Sequence, residues 1–424
     1  MKQCKGGLKP ALQSLMKIVY VDNNATTAIA PEVVEAMSPF FAESYFNPSS
    51  MYEPAQRVHE ALDRARQAVA RHFGLADAKP ILFTGCASES NNTAILGVAK
   101  ANPQRRHVIT TSVEHPAVLE VCKDLEREGY RITCLDVDAE GNLDLRQFVR
   151  VLSSETLLVS IMHANNETGV VFPIELLARL TKETDPAIVF HCDATQSVGK
   201  MRIDLGQEYR QVDLLSFSGH KLHAPKGIGV LYIKPGTPCR PLIIGGHQEA
   251  GRRAGTENMP YIVGLARALE LAQEYFEDEK TRVRGLRDRL ERSIEATIPC
   301  VQVNGRGSTR LPNTLNVSCH FVEGEGMLYQ LSDAGICASS GSACTSGSLE
   351  PSHVLRAMKV PFTAVHGSIR FSLSRYNTED DIDHILNVFP KMVANLRRLS
   401  PYWDQQQNAP RADAEELVRA NPRS

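Results

Sequence analysis

Short apolar runs rich in β-branched residues recur along the first part of the chain, at 81–83, 107–110, 132–135, 157–162, 188–192, 214–216 and 229–233. Each has the length of a strand, and stretches with helical spacing separate several of them. Val58, Leu62, Ala65, Val69 and Phe73 recur every three or four positions and give a helix one apolar face. Sustained strand–helix alternation predicts an α/β fold: a large domain with a mostly parallel sheet wrapped by helices. Ligands of such sheets bind beyond the carboxyl ends of the strands. After about residue 260 the pattern changes. A long helical stretch covers 261–298, with Val283, Leu286, Leu290, Ile294 and Ile298 in register, and strand candidates follow at 314–318 and 368–373. This predicts a smaller α+β domain. Beyond Ser400 the chain is mostly polar, with Tyr402 and Trp403 its only large apolar groups near the start, which predicts a surface tail over 401–424.

Composition narrows the class. The chain has 424 residues, 42% hydrophobic and 23% charged, as globular proteins do, which excludes disordered, collagen-like and coiled-coil architectures. A formal net charge of −2 lacks the basic excess that phosphate backbones require, so no nucleic-acid partner is expected. No run of 18 apolar residues occurs, so no membrane span is expected. Ten cysteines are irregularly spaced without any Cys-x-x-Cys pair, which argues against a zinc knuckle or a thioredoxin-type motif. Residues 1–17 lack a signal-peptide core. The expectation is a cytoplasmic protein with reduced thiols and an N-terminal extension.

Four segments carry candidate chemistry. The turn Thr84-Gly85-Cys86-Ala87-Ser88-Glu89-Ser90 follows a strand and opens a helix. Small residues at a helix N-terminus expose backbone N–H groups to a phosphate, although a simple cap by Ser88 or Ser90 is the alternative. Asp193 ends an apolar strand, where a carboxylate faces the ligand crevice or else caps the next helix. Lys221 sits between a strand and a glycine-rich turn. A desolvated lysine there becomes a neutral amine able to form a Schiff base, whereas a solvated loop lysine does nothing of the kind. Together, a phosphate-binding helix end, a strand-end acid and a loop lysine are what a pyridoxal phosphate site needs. The fourth segment, Ser339-Ser340-Gly341-Ser342-Ala343-Cys344-Thr345-Ser346-Gly347-Ser348, places a cysteine in a run of small residues. It is either an exposed nucleophile or an incidental thiol. Cys337, on a more apolar stretch, reads as a core residue.

These segments, with Asp22-Asn23-Asn24-Ala25-Thr26-Thr27, His163-Ala164-Asn165-Asn166-Glu167-Thr168-Gly169, Leu349-Glu350-Pro351-Ser352-His353 and Ile369-Arg370-Phe371-Ser372-Leu373, resemble the cysteine desulfurases of the NifS/IscS family. That family lies within the class V aminotransferase superfamily, and the likeness runs from about Val19 to Ser400. Several details lean towards the nitrogen-fixation branch: the Asn165–Gly169 run, Leu222-His223-Ala224-Pro225 and Leu399-Ser400-Pro401.

The resemblance implies a pyridoxal 5'-phosphate-dependent transferase of fold type I with a seven-stranded sheet. It implies a large domain over 31–265, a small one from 18–30 and 266–400 carrying the cysteine loop at 338–350, and flanking segments 1–17 and 401–424. Lys221 would carry the cofactor, Asp193 would pair with the ring nitrogen, and Gln196 and Asn165 would bond the ring oxygen. Ala87, Ser88, Ser218, Gly219 and His220 would hold the phosphate. Thr256 would reach it from a second subunit, which implies a homodimer. His115 would stack on the ring, and Arg370 with Asn165 would bind the substrate carboxylate.

Lys221 and Cys344 would then convert L-cysteine to L-alanine and a persulfide on Cys344, for delivery to an iron–sulfur scaffold or another acceptor. No intrinsic metal site is implied, although transient iron–sulfur ligation through Cys344 is consistent with the resemblance. A selenocysteine lyase or aminotransferase on the same fold is the alternative. One departure stands out. Cys86 occupies a position where the family usually has glycine, so a strained backbone is expected there.

Overall fold

The computed structural model describes residues 17–340 and 351–414. Its strands are β1 (Val19–Tyr20), β2 (Ile81–Thr84), β3 (His107–Thr111), β4 (Arg131–Leu135), β5 (Thr156–Met162), β6 (Val189–Asp193), β7 (Leu214–Ser218), β8 (Gly229–Ile233), β9 (Val301–Val303), β10 (Thr314–Cys319), β11 (Ile336–Cys337) and β12 (Ser368–Ser372). Seven of them form one sheet in the order β2-β8-β7-β6-β5-β3-β4. Only β8 runs against the rest. The seven apolar runs of the sequence are these seven strands. Central strands such as β5 and β6 are buried along their whole length, as expected of a parallel sheet covered on both faces.

The longest helices among the described residues are α1 (Glu53–His72), α2 (Ala87–Ala101), α3 (Pro116–Arg127), α4 (Ile174–Thr184), α5 (Met259–Glu274), α6 (Arg284–Thr297) and α7 (Glu379–Leu399). The stripe from Val58 to Phe73 is buried, as its spacing predicts. Pro54 suits the first turn of α1, and Glu53 there and Arg71 in the last turn suit the two ends of the helix dipole. The long helical stretch at 261–298 is broken. Between α5 and α6 lie a short turn and a π-helical turn, Glu279–Val283.

The other strands make a three-stranded antiparallel sheet, β12-β10-β9, and a parallel pair, β1 with β11. Apolar side chains gather in three clusters: one against each face of the large sheet, and one around β10, β12, α6 and α7. Val354, Leu355, Met358 and Val365 pack into the first cluster, although they lie within 266–400. Cys337 is half-buried rather than a full core residue. Residues 401–414 depart from the expectation of a surface tail. Trp403 is 6% exposed, lies under the Arg397 guanidinium and pairs through Trp403–Asp404 with Ala409–Pro410. An aromatic ring of that size gains more from burial than the polar neighbours lose. Among the described residues, no helix is long and apolar enough to cross a membrane.

Candidate active site

A cavity of about 360 Å³ opens beyond the carboxyl ends of β5, β6 and β7. From α2 come Ala87, Ser88 and Asn91, and the loop before it adds Cys86. From the strand ends come Met162, Asp193, Thr195, Gln196 and Ser218. His220 and Lys221 follow on the short 3-10 turn Gly219–Lys221, and His115, Asn166 and Arg370 close the wall. The structure therefore brings together most of the residues that the sequence singles out.

The first turn of α2 has no side-chain cap, so the alternative of a simple cap by Ser88 or Ser90 is not what is formed. Glu89 folds back so that its Oε2 accepts the Gly85 N–H at 2.7 Å, while Thr84 and Ser90 hydroxyls meet at 2.7 Å. Cys86 is not strained. Its φ of −174° is extended backbone, which any residue adopts. The constraint sits opposite, at Gly229, where a Cβ would lie 2.6 Å from the Cys86 carbonyl carbon.

Asp193 is 6% exposed and accepts two hydrogen bonds, from the Thr195 N–H at 2.9 Å and from Asn91 Nδ2 at 2.7 Å. Lys221 Nζ donates to the carbonyls of Asn24 and Ala25, both at 2.8 Å. The Asp22–Thr27 segment thus forms the cradle of the lysine. Gln196 Nε2 donates to the same Asn24 carbonyl at 3.0 Å. His115 caps α3, its Nδ1 accepting from Ala117 N–H at 3.1 Å, which puts the proton of the neutral ring on Nε2. Burial lowers its pKa, and Lys221 and His353 add to that while Asp193 opposes it. His220 is pulled down to about 4, first by burial and then by Lys221 and Lys226.

Asn165 departs from its expected role. Its Oδ1 accepts from the Glu167 and Thr168 N–H groups at 2.9 and 3.0 Å, and its Nδ2 donates to the Val113 carbonyl at 3.0 Å. The amide is consumed in shaping its own loop. Its neighbour Asn166 lines the cavity instead. Arg370 is 2% exposed, with Nη2 2.6 Å from Asp22 Oδ1 and Nη1 3.0 Å from the Asn166 carbonyl. Gly219 stands behind the wall, where a Cβ would meet Ile228 at 2.8 Å.

Beneath the site, Glu114 is fully buried; burial pushes its carboxyl up to about 8, against bonds from the Met162 N–H and the Thr111 hydroxyl. Behind the site, the stem of the cysteine loop is anchored: Ser352 donates to Glu167 at 2.5 Å and His353 to the Glu114 carbonyl at 2.9 Å. Cys344 lies outside the described residues. Asn91, Asn166 and the Asn24 carbonyl are additions that local sequence does not signal, because each acts across a long chain separation.

Thr256 is exposed and away from this cavity. Its loop is locked to the body. Glu249 and Ala250 both hold positive φ, 50° and 57°, at a cost of roughly 1–2 kcal/mol each. Arg66 grips Glu249 with two bonds of 2.7 Å, and Phe83 N–H adds a third at 3.1 Å. Breaking such a buried pair costs roughly 3–5 kcal/mol, enough to hold the strain. Arg253 pairs with Glu89 at 2.9 Å, tying the loop to the first turn of α2.

Comparisons with known proteins agree with the fold. The aminotransferase class-V family model matches residues 19–385. The cysteine desulfurase NifS of Azotobacter vinelandii is 54% identical over 388 residues, covering 92% of this chain and 96% of that one. A cysteine desulfurase of Klebsiella pneumoniae is 51% identical over 399 residues, covering 94% and 98%. Among solved structures, a NifS-like protein superposes with a TM-score of 0.84 at 38% identity, over 90% of this chain and all of that one (100%). SspA in complex with cysteine gives 0.74 at 36% identity, over 85% and 99%. On a family match from residue 19 to 385 and on half-identity to NifS proteins along almost their full length, the chain belongs to the aminotransferase class-V family and, within it, to the NifS group of cysteine desulfurases.

Proposed function

We propose that the chain is a pyridoxal 5'-phosphate-dependent cysteine desulfurase that turns L-cysteine into L-alanine and passes the sulfur, as an enzyme persulfide, to an acceptor for iron–sulfur cluster assembly. One observation carries this: Lys221, Asp193 and the N-terminus of α2 converge on a single cavity. The wall fits a polar cofactor. Asn91 Oδ1, Thr195 Oγ1, Gln196 Oε1 and Arg370 Nε are buried there without a partner among the described residues. Buried polar atoms of this kind demand a hydrogen-bonding ligand.

Ala87, Ser88, Ser218 and His220 would hold the phosphate, Asp193 the ring nitrogen and Gln196 the ring oxygen; Lys221 would carry the cofactor. When bound, the cofactor supplies an electron-accepting ring joined to the substrate's amino group. Asp193, oriented by Asn91, would keep a proton on the ring nitrogen. Lys221 takes up the Cα proton of cysteine at Nζ, a position that the Asn24 and Ala25 carbonyls define. His115, neutral and protonated at Nε2, would stack over the ring and move a proton. Arg370 and Asn166 are positioned for the substrate carboxylate. The Cys344 thiolate attacks the substrate sulfur: an S–S bond forms, the C–S bond breaks, and its electron pair stays on the carbon side, which is protonated to alanine.

The proposed assembly is a homodimer, with Thr256 completing the partner's phosphate site. Phe41, Tyr45, Met51 and Ile244 are large apolar side chains left exposed by one chain, as an interface would use. The nitrogen-fixation branch, an iron–sulfur scaffold as acceptor and a cytoplasmic setting belong to the same reading. The two-domain division given above, with the cysteine loop on the smaller part, accompanies it.

The test is a visible spectrum followed by an alanine assay with cysteine and a reductant. Wild type absorbs in the visible and yields alanine and sulfide without any keto acid. Cys344→Ala binds cysteine but makes almost no alanine, and Lys221→Ala loses the visible band. Dependence on a keto acid instead identifies an aminotransferase, and a clear preference for selenocysteine identifies a lyase.

A further inference from the structure

Lys221 separates two cavities. In front lies the site described above; behind it lies a second, much smaller space of about 20 Å³. A space this size accommodates one water molecule when its walls are polar. Lys200 and Glu279 both contribute to its walls. Glu279 is 8% exposed, and its Oε2 has no partner among the described residues. The π-helical turn Glu279–Val283 places it there, and such an interruption of a helix frequently marks a functional position. Lys200 Nζ reaches the carbonyl of Gln196, itself a residue of the front wall, at 3.0 Å.

We propose that Lys200, Glu279 and one bound water form a charge-balancing pocket behind Lys221, which sets the pH at which the Lys221 nitrogen gives up its proton. The inference rests on the amine role that the proposed reaction gives Lys221. A negative Glu279 favours the protonated amine, and a positive Lys200 opposes it. Burial lowers Lys200 to about 8 and raises Glu279, so each sits closer to neutral pH than usual. The other charged groups are accounted for. In front of Lys221 stand Asp193, His115, His220 and Arg370, the last paired with Asp22. Behind it stand His223, Tyr275 and Arg375. Burial lowers His223 to about 4, which leaves it neutral, and Arg375 is stacked 4.8 Å from the Tyr275 ring. Lys226 and Asp278 lie further out, beside His220 and Glu279 respectively. Glu279 is thus the acid behind the lysine, and Lys200 its counterweight.

The experiment titrates the visible absorbance of the cofactor-bound enzyme against pH, with the pH profile of kcat/KM alongside, for wild type, Glu279→Gln and Lys200→Met. Glu279→Gln moves the transition to lower pH and Lys200→Met moves it to higher pH, each by about half a unit or more. A purely structural role changes melting temperature without shifting the two titrations in opposite directions. Each variant reads independently, so loss of folding in one leaves the other decisive. Shifts in the same direction, no shift in either variant, or a dry rear cavity in a high-resolution crystal structure overturns the inference. Failure of the underlying function is separate: wild type itself then shows no visible band and no alanine from cysteine.

Discussion

Asn91 on α2 donates its side-chain amide to Asp193 at the end of β6 at 2.7 Å, across 102 residues of sequence. The bond joins the two halves of the site, since α2 supplies the phosphate end and β6 the acid. Asn91→Leu leaves a carboxylate oxygen without its donor. A bond to a charged group is worth about 1.5–3 kcal/mol, so cofactor affinity is expected to fall roughly ten- to hundredfold. Titrating the cofactor-free protein with pyridoxal phosphate measures it; unchanged affinity contradicts the orienting role of Asn91.

Asn165 and Asn166 separate structural from functional work at adjacent positions. Asn165→Ala removes three bonds of its own loop and one to the Val113 carbonyl, and is expected to cost about 1–3 kcal/mol of stability, seen as a lower Tm. Asn166→Ala keeps the backbone carbonyl that Arg370 uses and is expected to leave Tm near wild type while raising KM for cysteine. The opposite pattern would return the substrate role to Asn165.

Arg370 already neutralises Asp22, so its charge is shared between the fold and any substrate carboxylate. Arg370→Leu strands a half-buried acid and should lower Tm, while KM for cysteine rises more than kcat falls. Asp22→Asn removes the competitor, and added cysteine is expected to raise its Tm more than it does for wild type. Differential scanning fluorimetry with and without cysteine distinguishes these outcomes.

Glu114 gives a pH dependence whose sign follows from its shift. Burial raises its carboxyl from 4.5 to about 8. Between those values the folded chain keeps a proton that the unfolded chain releases. The associated stability is complete below about 4.5 and is lost as pH rises through about 8. Glu114→Gln removes this dependence. From pH 5 to 8 its Tm should therefore decline less than wild type, by on the order of a few degrees. Parallel Tm curves would place the ionisation elsewhere.

Much of the site is legible in the amino-acid sequence because it is local. A strand-end acid, a glycine-flanked lysine and a small-residue turn are each written in a few consecutive positions, and strand periodicity places them on one edge of a sheet. The features that local sequence does not signal are long-range. The carbonyl of Asn24 that receives Lys221 lies 197 positions away, and nothing local at either residue announces it. Asn165 and Asn166 are chemically identical, so only the loop's turn decides which amide faces inward. At Cys86, the glycine usual in the family suggests a conformation that cysteine resists, but the chain is extended there and the steric demand falls on Gly229. Trp403 is hidden by its polar neighbours, since composition averages over the one side chain that folds the segment back.

The loop that displays Thr256 is fastened entirely by residues of its own chain, through Arg66, Glu249, Arg253 and Glu89. Its shape is therefore complete before any second copy approaches. Two such chains would meet as finished solids, with little entropy to surrender on contact. Loosening either guanidinium clamp would raise that entropy cost, and the loss of the Arg253–Glu89 clamp would loosen the first turn of α2 with it.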